Sequence, residues 1–207
     1  MPTMLPSLWL VHPDAEACDA FRRRFAGLPR VHVFQSKFED LPPHHCFVTA
    51  GNSYGMMTAG IDAVVVERFG GAIMTAVQHR ILSDYFGEPP VGTAFILPTG
   101  DERIPYLCHA PTMRVPQSID GTEKVYLATF AALVAVFHFN RTAEQTIETV
   151  AMPAMGTGFG QVSFDEAARQ MAVEYRQFLE PPTRLDWDVV VARHKAIIQD
   201  GGKQVVK

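Results

Sequence analysis

At 149–152 a short apolar run of strand composition opens into M-P-A-M-G-T-G-F-G at 152–160, and the chain then meets Ser163 and Glu166 at the spacing of a capping box. Beyond it, Phe164, Ala167, Ala168, Met171, Tyr175 and Phe178 recur on one face of a helix. A strand that ends in a glycine-rich loop and feeds a capped helix is a building block of α/β sheets. The arrangement occurs twice. A buried strand at 46–50 runs into A-G-N-S-Y-G-M-M-T-A-G-I-D at 50–62, and helical spacing begins around Ile61. The rest of the chain alternates in the same way, with strands predicted at 7–12, 31–34, 91–97 and 106–109 and a last one at 188–192. Helices are predicted at 14–26, from Ile73 to a stop at Gly87, and at about 122–139. The residues beyond Gly201 read as a frayed tail.

At 207 residues and 47% apolar content, one domain can bury a full core. The formal charge of −4, from 18 basic and 22 acidic residues without a like-charge run, argues against a nucleic-acid partner. The longest apolar stretch, within 125–139, is interrupted by Thr129 and His138 and is too short for a bilayer. No basic region followed by an apolar one opens the chain, so a cytoplasmic protein without membrane association is expected. Cys18, Cys46 and Cys108 are odd in number and lack a C-x-x-C pairing, which fits reduced core thiols. No metal or cofactor is expected. His44, His45 and Cys46 are consecutive, a poor geometry for one ion, and Cys108 and His109 would point to opposite faces of a strand. Arg22, Arg23 and Arg24 read as the solvated face of a helix.

The chemistry lies in the two loops. Gly156, Gly158 and Gly160 can let backbone N–H groups approach a phosphate at a helix N-terminus. An isolated G-T-G-F-G is more often a tight turn that needs positive φ, but its pairing with 50–62 favours a diphosphate-linked ligand held between both loops. Asn52 offers a donor and an acceptor to a sugar hydroxyl, and Asp62 can accept a proton from a hydroxyl or a water. Read as structure, the same residues are a turn asparagine and a first-turn aspartate facing the helix dipole, and spacing leaves the two readings even. Arg114 is the basic residue placed to reach a ligand.

These motifs resemble the macro domain family. The segment at 50–62 is similar to the family's N-A-A-N followed by glycines and V-D, and 152–160 is similar to its F-P-A-I-S-T-G-V-F-G loop. Supporting stretches are G-T-A-F-I-L-P-T-G at 92–100 and L-C-H-A-P at 107–111. The resemblance runs over about 31–192 and is nearest to a bacterial and phage-associated branch. It implies a three-layer α/β/α domain with a mixed, mostly parallel sheet, to whose edge an N-terminal strand and helix at 7–27 are added. It further implies a cleft for ADP-ribose or a derivative, with Asn52 and Asp62 as catalytic residues. The ligand-binding residues it implies are Ala50, Gly51, Ser53, Thr58, Ala59, Gly60 and Ile61 on the first loop, and Gly156, Thr157, Gly158, Phe159 and Gly160 on the second. Phe159 would stack near the distal ribose. Where the family carries G-D-I, this chain has Ser36-Lys37-Phe38-Glu39-Asp40, with Glu39 or Asp40 as the stand-in. Thr49 replaces the first asparagine, Met57-Thr58-Ala59-Gly60 replaces the glycine run, and Val66 stands where one hydrolytic branch has histidine. The activities implied are hydrolysis of ADP-ribosyl esters or of ADP-ribose phosphate. The alternatives are a non-catalytic reader of ADP-ribose or ADP-ribosylated protein, and a binder of another nucleotide or of an RNA end.

Overall fold

In a computed structural model that describes residues 5–198, side-chain alternation along the strands decides the layers. In β1 (Ser7–Val11), Leu8 and Leu10 enter one apolar cluster while Trp9 and Val11 join another on the opposite face. In β3 (Cys46–Thr49), Cys46 and Val48 face the first cluster and Phe47 the second; in β6 (Thr149–Met152), Val150 and Met152 oppose Ala151 in the same manner. With β2 (Val31–Phe34), β4 (Phe95–Pro98) and β5 (Tyr106–His109) the strands form a six-stranded sheet in the order β2-β1-β6-β3-β5-β4. Every pairing is parallel except β4 with β5. Helices α1 (Ala15–Arg24), α4 (Lys124–Thr142) and α5 (Phe164–Leu179) cover the first face. Helices α2 (Gly60–Phe69) and α3 (Ala72–Tyr85) cover the second, giving three layers.

The N-terminal unit is not an addition to the edge. β1 pairs on one side with β2 and on the other with β6, Ser7 lying opposite Thr149 and Leu10 opposite Met152. Leu8, Leu10 and Val11 are buried on both faces of the sheet, which requires an interior strand, whereas β2 is half-exposed and forms the edge. The predicted strand at 188–192 is likewise corrected: it lies within α6 (Trp187–Ile197), a helix packed on α5. Its valine run has strand propensity, but β1 already occupies the place beside β6, and local chemistry favours a helix. The Asp186 carboxylate accepts from the Val189 N–H at 3.0 Å, and Arg169 donates to the Ala196 and Ile197 carbonyls at 3.0 and 2.9 Å. The strand predicted at 91–97 begins only at Phe95, after a turn with Gly92 at φ 97°. The tail predicted beyond Gly201 lies outside the described residues.

Of the basic run in α1, Arg22 pairs with Asp19 at 2.8 Å, while Arg23 and Arg24 reach Asp165 at the start of α5. The 19-residue α4 is longer than predicted and, by length and composition alone, could cross a membrane. Here it packs against α5 and buries Val125, Ala128, Ala132 and Val136 in the first apolar cluster.

Glu174 of α5 is 1% exposed and its Oε2 has no partner. Burial pushes its carboxyl up to about 7, with Tyr126 and the Arg193 charge pulling the other way. Because the folded value lies above the unfolded one, the folded state holds the extra proton, and stability falls as pH rises through 7. We expect Glu174→Gln to be more stable than the parent at pH 8, by on the order of 2 kcal/mol, with the difference closing towards pH 5. Parallel melting curves across that range check this; a gap that does not change with pH would contradict it.

Candidate functional site

In a parallel sheet the ends of neighbouring strands leave a crevice that the following loops fill. One cleft of about 360 Å³ lies there. β1 contributes Val11 with His12 and Pro13, β2 is followed by Ser36, and β3 by Ala50, Gly51 and Asn52. Thr112 and Met113 follow β5, and Pro153 and Ala154 follow β6. The volume suits a nucleotide-sized molecule.

The second loop wraps around buried residues and leaves its donors outward. Gly156 has φ 74°, and a Cβ there would stand 2.9 Å from Val125 and 3.0 Å from Ile119. A Cβ on Gly160 would fall on the Gly156 carbonyl oxygen. Loop carbonyls are satisfied internally, with Gln161 donating to Gly158 at 3.0 Å, Val162 to Gly156 at 3.2 Å and Ile119 to Gly160 at 2.8 Å. Among the described residues, the N–H groups of Thr157, Gly158, Phe159 and Gly160 donate to nothing, and all four residues line the cleft. Four such donors in succession form a concavity of positive potential suited to an anion. The α5 terminus itself is already capped, Ser163 Oγ accepting from Glu166 N–H at 3.2 Å.

Across the cleft, α2 starts at Gly60 behind Ala59, which has no side chain able to cap it. The N–H groups of Gly60, Ile61 and Asp62 therefore have no internal acceptor among the described residues, and all three residues line the cleft. Unpaired donors of both loops thus belong to residues that line one volume.

Asn52 is spent largely on its own loop. Its side-chain oxygen accepts from Tyr54 N–H at 3.1 Å and Met56 N–H at 3.3 Å, and its amide donates to the Met56 carbonyl at 3.0 Å. One amide hydrogen is left for a ligand. Asp62 is 6% exposed and lines the cleft. Thr49 donates its hydroxyl to Oδ1, and burial pushes the carboxyl up to about 6 against that bond. Under Gly51 lies His109, wholly buried, its Nε2 donating to the Asn52 carbonyl at 3.2 Å and its Nδ1 without a partner. Burial holds this imidazole down to about 4, so it is neutral at physiological pH. The neighbouring Cys108 thiol is pushed up to about 12 by burial and stays protonated.

Of the predicted ligand residues, Ala50, Gly51, Asn52, Thr58, Ala59, Gly60, Ile61 and Asp62 line the cleft on the first side. Gly156, Thr157, Gly158, Phe159 and Gly160 line it on the second, Phe159 being 58% exposed. Three stand elsewhere. Ser53 is buried and donates through its backbone to Met113 at 3.0 Å. Glu39 sits on the exposed side of a 3-10 turn at Phe38–Asp40, whose Phe38 faces the cleft instead. Arg114 is held by Glu88 and by the Tyr54 hydroxyl at 2.6 Å, and among the described residues no arginine or lysine lines the cleft. Sequence reasoning missed His12, Ser36, Thr112 and Pro153 among others, although each lies within three residues of the end of a strand.

Fold and site together define a three-layer α/β domain with a cleft of nucleotide size, lined by unpaired backbone donors, at the carboxyl ends of its parallel strands. The sequence profile of the macro domain family matches residues 48–171, and the chain belongs to that family. It is 37% identical over 133 residues to an uncharacterised protein of Aquifex aeolicus, covering 63% of this chain and 72% of that one. A second uncharacterised relative, from Aeropyrum pernix, is 34% identical over 126 residues, and the chain spans 60% of its length. Among solved structures, the macrodomain of Mycobacterium tuberculosis DarG superposes with a TM-score of 0.56 at 21% identity, over 70% of this chain and 88% of that one. A variant of the Oceanobacillus iheyensis macrodomain with ADPR gives 0.60 at 17% identity, over 87% and 82%. The Trypanosoma brucei macrodomain in complex with ADP-ribose gives 0.52 at 14% identity, over 87% and 60%. At these identities the likeness concerns the fold.

Proposed function

We propose that the cleft binds ADP-ribose, free or attached to a protein. The observation that carries this reading is the facing pair of N–H arrays, Thr157–Gly160 on one loop and Gly60–Asp62 on the other, which can hold a diphosphate without a basic side chain. A base fits the end walled by His12, Pro13 and Phe38, and a ribose fits the end of Asn52, Asp62 and Phe159. The macrodomain neighbours solved with ADPR and ADP-ribose favour the same ligand. We expect binding in the micromolar range, on the order of −8 kcal/mol. Calorimetry and thermal shift test this: ADP-ribose should raise the melting temperature, and absence of both heat and shift at millimolar ligand would refute it.

The buried Asp62 favours a further step, hydrolysis of the ester between the distal ribose and a protein carboxylate. With its carboxyl raised to about 6, Asp62 is ionised at neutral pH yet basic enough to take a proton from water. The water oxygen attacks the ribose anomeric carbon as its proton passes to Asp62, and the protein carboxylate leaves. A cytoplasmic site of action is part of this proposal.

A further inference from the structure

An imidazole that is not among the residues lining the cleft is bonded to the Asn52 carbonyl and lies close to the Asp62 carboxyl. His109 closes β5 at 0% exposure, with its ring against Phe95 at 5.3 Å. A carbonyl can only accept, so the contact of Nε2 with the Asn52 oxygen at 3.2 Å puts the imidazole proton on Nε2. Nδ1 is then a bare acceptor, buried and unsatisfied. An unmet acceptor at this depth is costly, and a neighbouring donor is expected for it. The neighbour is Asp62. A Cβ on Gly51 would lie 3.0 Å from His109 Nδ1, 3.2 Å from Asp62 Oδ2 and 2.5 Å from His109 Cε1. The imidazole and the carboxyl thus both crowd the place that a side chain on residue 51 would take, which only a glycine leaves open.

We infer that His109 is a positioning residue for Asp62: its Nε2–H fixes the Asn52 backbone, and its Nδ1 accepts a hydrogen bond from Asp62 Oδ2 whenever that oxygen carries a proton. The role of this proton in catalysis rests on the hydrolytic reading above; the pairing itself does not. When Asp62 takes a proton from the attacking water, the proton rests on Oδ2 and meets Nδ1, so His109 stabilises the product of the transfer and makes Asp62 the stronger base. No net charge enters the core, because the imidazole remains neutral. Few other groups bear on the pair. Thr49 from β3 donates to Oδ1 and favours the ionised form; among the described residues the Asn52 carbonyl is the only polar influence on His109, and no charged residue from α2, α3 or β5 acts on either.

The test is made on the ligand-free protein by nuclear magnetic resonance. The side-chain nitrogen signals of His109 should show an Nε2–H tautomer across pH 5–8, and the Asp62 carboxyl carbon should titrate near 6. His109→Gln keeps a donor where Nε2 stood and removes the bare nitrogen. It should move the Asp62 titration down by about one pH unit, a tenfold smaller protonated fraction at a given pH. Should that variant fail to fold, Asp62→Asn and Asp62→Ala give a second reading. The asparagine amide can still donate to Nδ1 and should leave its signal near that of a hydrogen-bonded nitrogen, whereas alanine should move it to that of a free one. An Nδ1–H tautomer in the parent, an unchanged Asp62 titration in His109→Gln, or identical Nδ1 signals in the two Asp62 variants would each overturn the inference. Titration of the same samples with ADP-ribose reports separately on the ligand reading, which can fail while the pairing holds.

Discussion

Gly158→Val is expected to abolish ADP-ribose binding while leaving the melting temperature within about 2 °C of the parent, and Gly160→Ala is expected to do the reverse. The sequence suggests that all three loop glycines are needed for left-handed backbone or close ligand approach. The structure separates them. Gly158 is not in the left-handed region, nothing lies within 4 Å of where its Cβ would stand, and the residue lines the cleft. The Cβ of a valine there meets no protein atom within 4 Å, and from a residue that lines the cleft the side chain is expected to enter the volume assigned to the diphosphate. Affinity should fall by at least about a hundredfold, or about 2.7 kcal/mol. Gly160 and Gly156 are held by the fold itself, one against the Gly156 carbonyl and the other by φ 74° and the Val125 side chain. Alanine at either should cost about 2–4 kcal/mol and lower the melting temperature by roughly 5–15 °C. Calorimetry and thermal melting of the three variants provide the check. A folded Gly158→Val protein that still binds would remove the second loop from the site.

Asp62→Ala should lower hydrolytic turnover by roughly a hundred- to ten-thousandfold, the usual contribution of a positioned base, with little change in affinity for ADP-ribose. The parent should gain activity as pH rises through about 6 and level off above it, since the base must be ionised, and the variant should lose that limb. Asn52→Ala should differ from both. Its side chain ties Tyr54 and Met56 into the loop while offering one hydrogen outward, so the variant should lose affinity and rate together. The assay is release of ADP-ribose from a protein modified on an acidic side chain, run beside phosphate release from phosphorylated ADP-ribose. A parent enzyme that binds ADP-ribose but turns over neither substrate faster than Asp62→Ala would leave a reader of ADP-ribose, not a hydrolase.

What could be read in advance follows from the range of the interactions involved. Periodicity and capping are local, so the helix behind Ser163 and the strands at 31–34, 106–109 and 149–152 were legible as they stand. The two glycine loops were legible because backbone exposed to a ligand leaves its mark in composition. The valines at 189–191 misled, because whether they enter the sheet depends on which strand already lies beside β6. His12, Ser36 and Phe38 were missed for the same reason: each is brought to the cleft by strand order alone. Arg114 looked available until its partner Glu88, 26 residues away, was seen to hold it. Ser53 resembles its ligand-facing neighbours in every local respect and differs only in pointing inward.

The sheet order β2-β1-β6-β3-β5-β4 also bears on how the chain comes off the ribosome. Five of the six strands have been synthesised before Thr149–Met152 appears, and until then they can form only two separate ribbons, β2 with β1 and β3 with β5 and β4. β6 is the strand that joins them, and its arrival closes two exposed edges at once. The nascent chain thus carries two unpaired apolar strand edges through most of translation, a state open to mispairing and to capture by chaperones. Because the Gly156–Gly160 loop follows directly on β6, the cleft and the sheet reach completion in the same event, and a chain stalled before that point has neither.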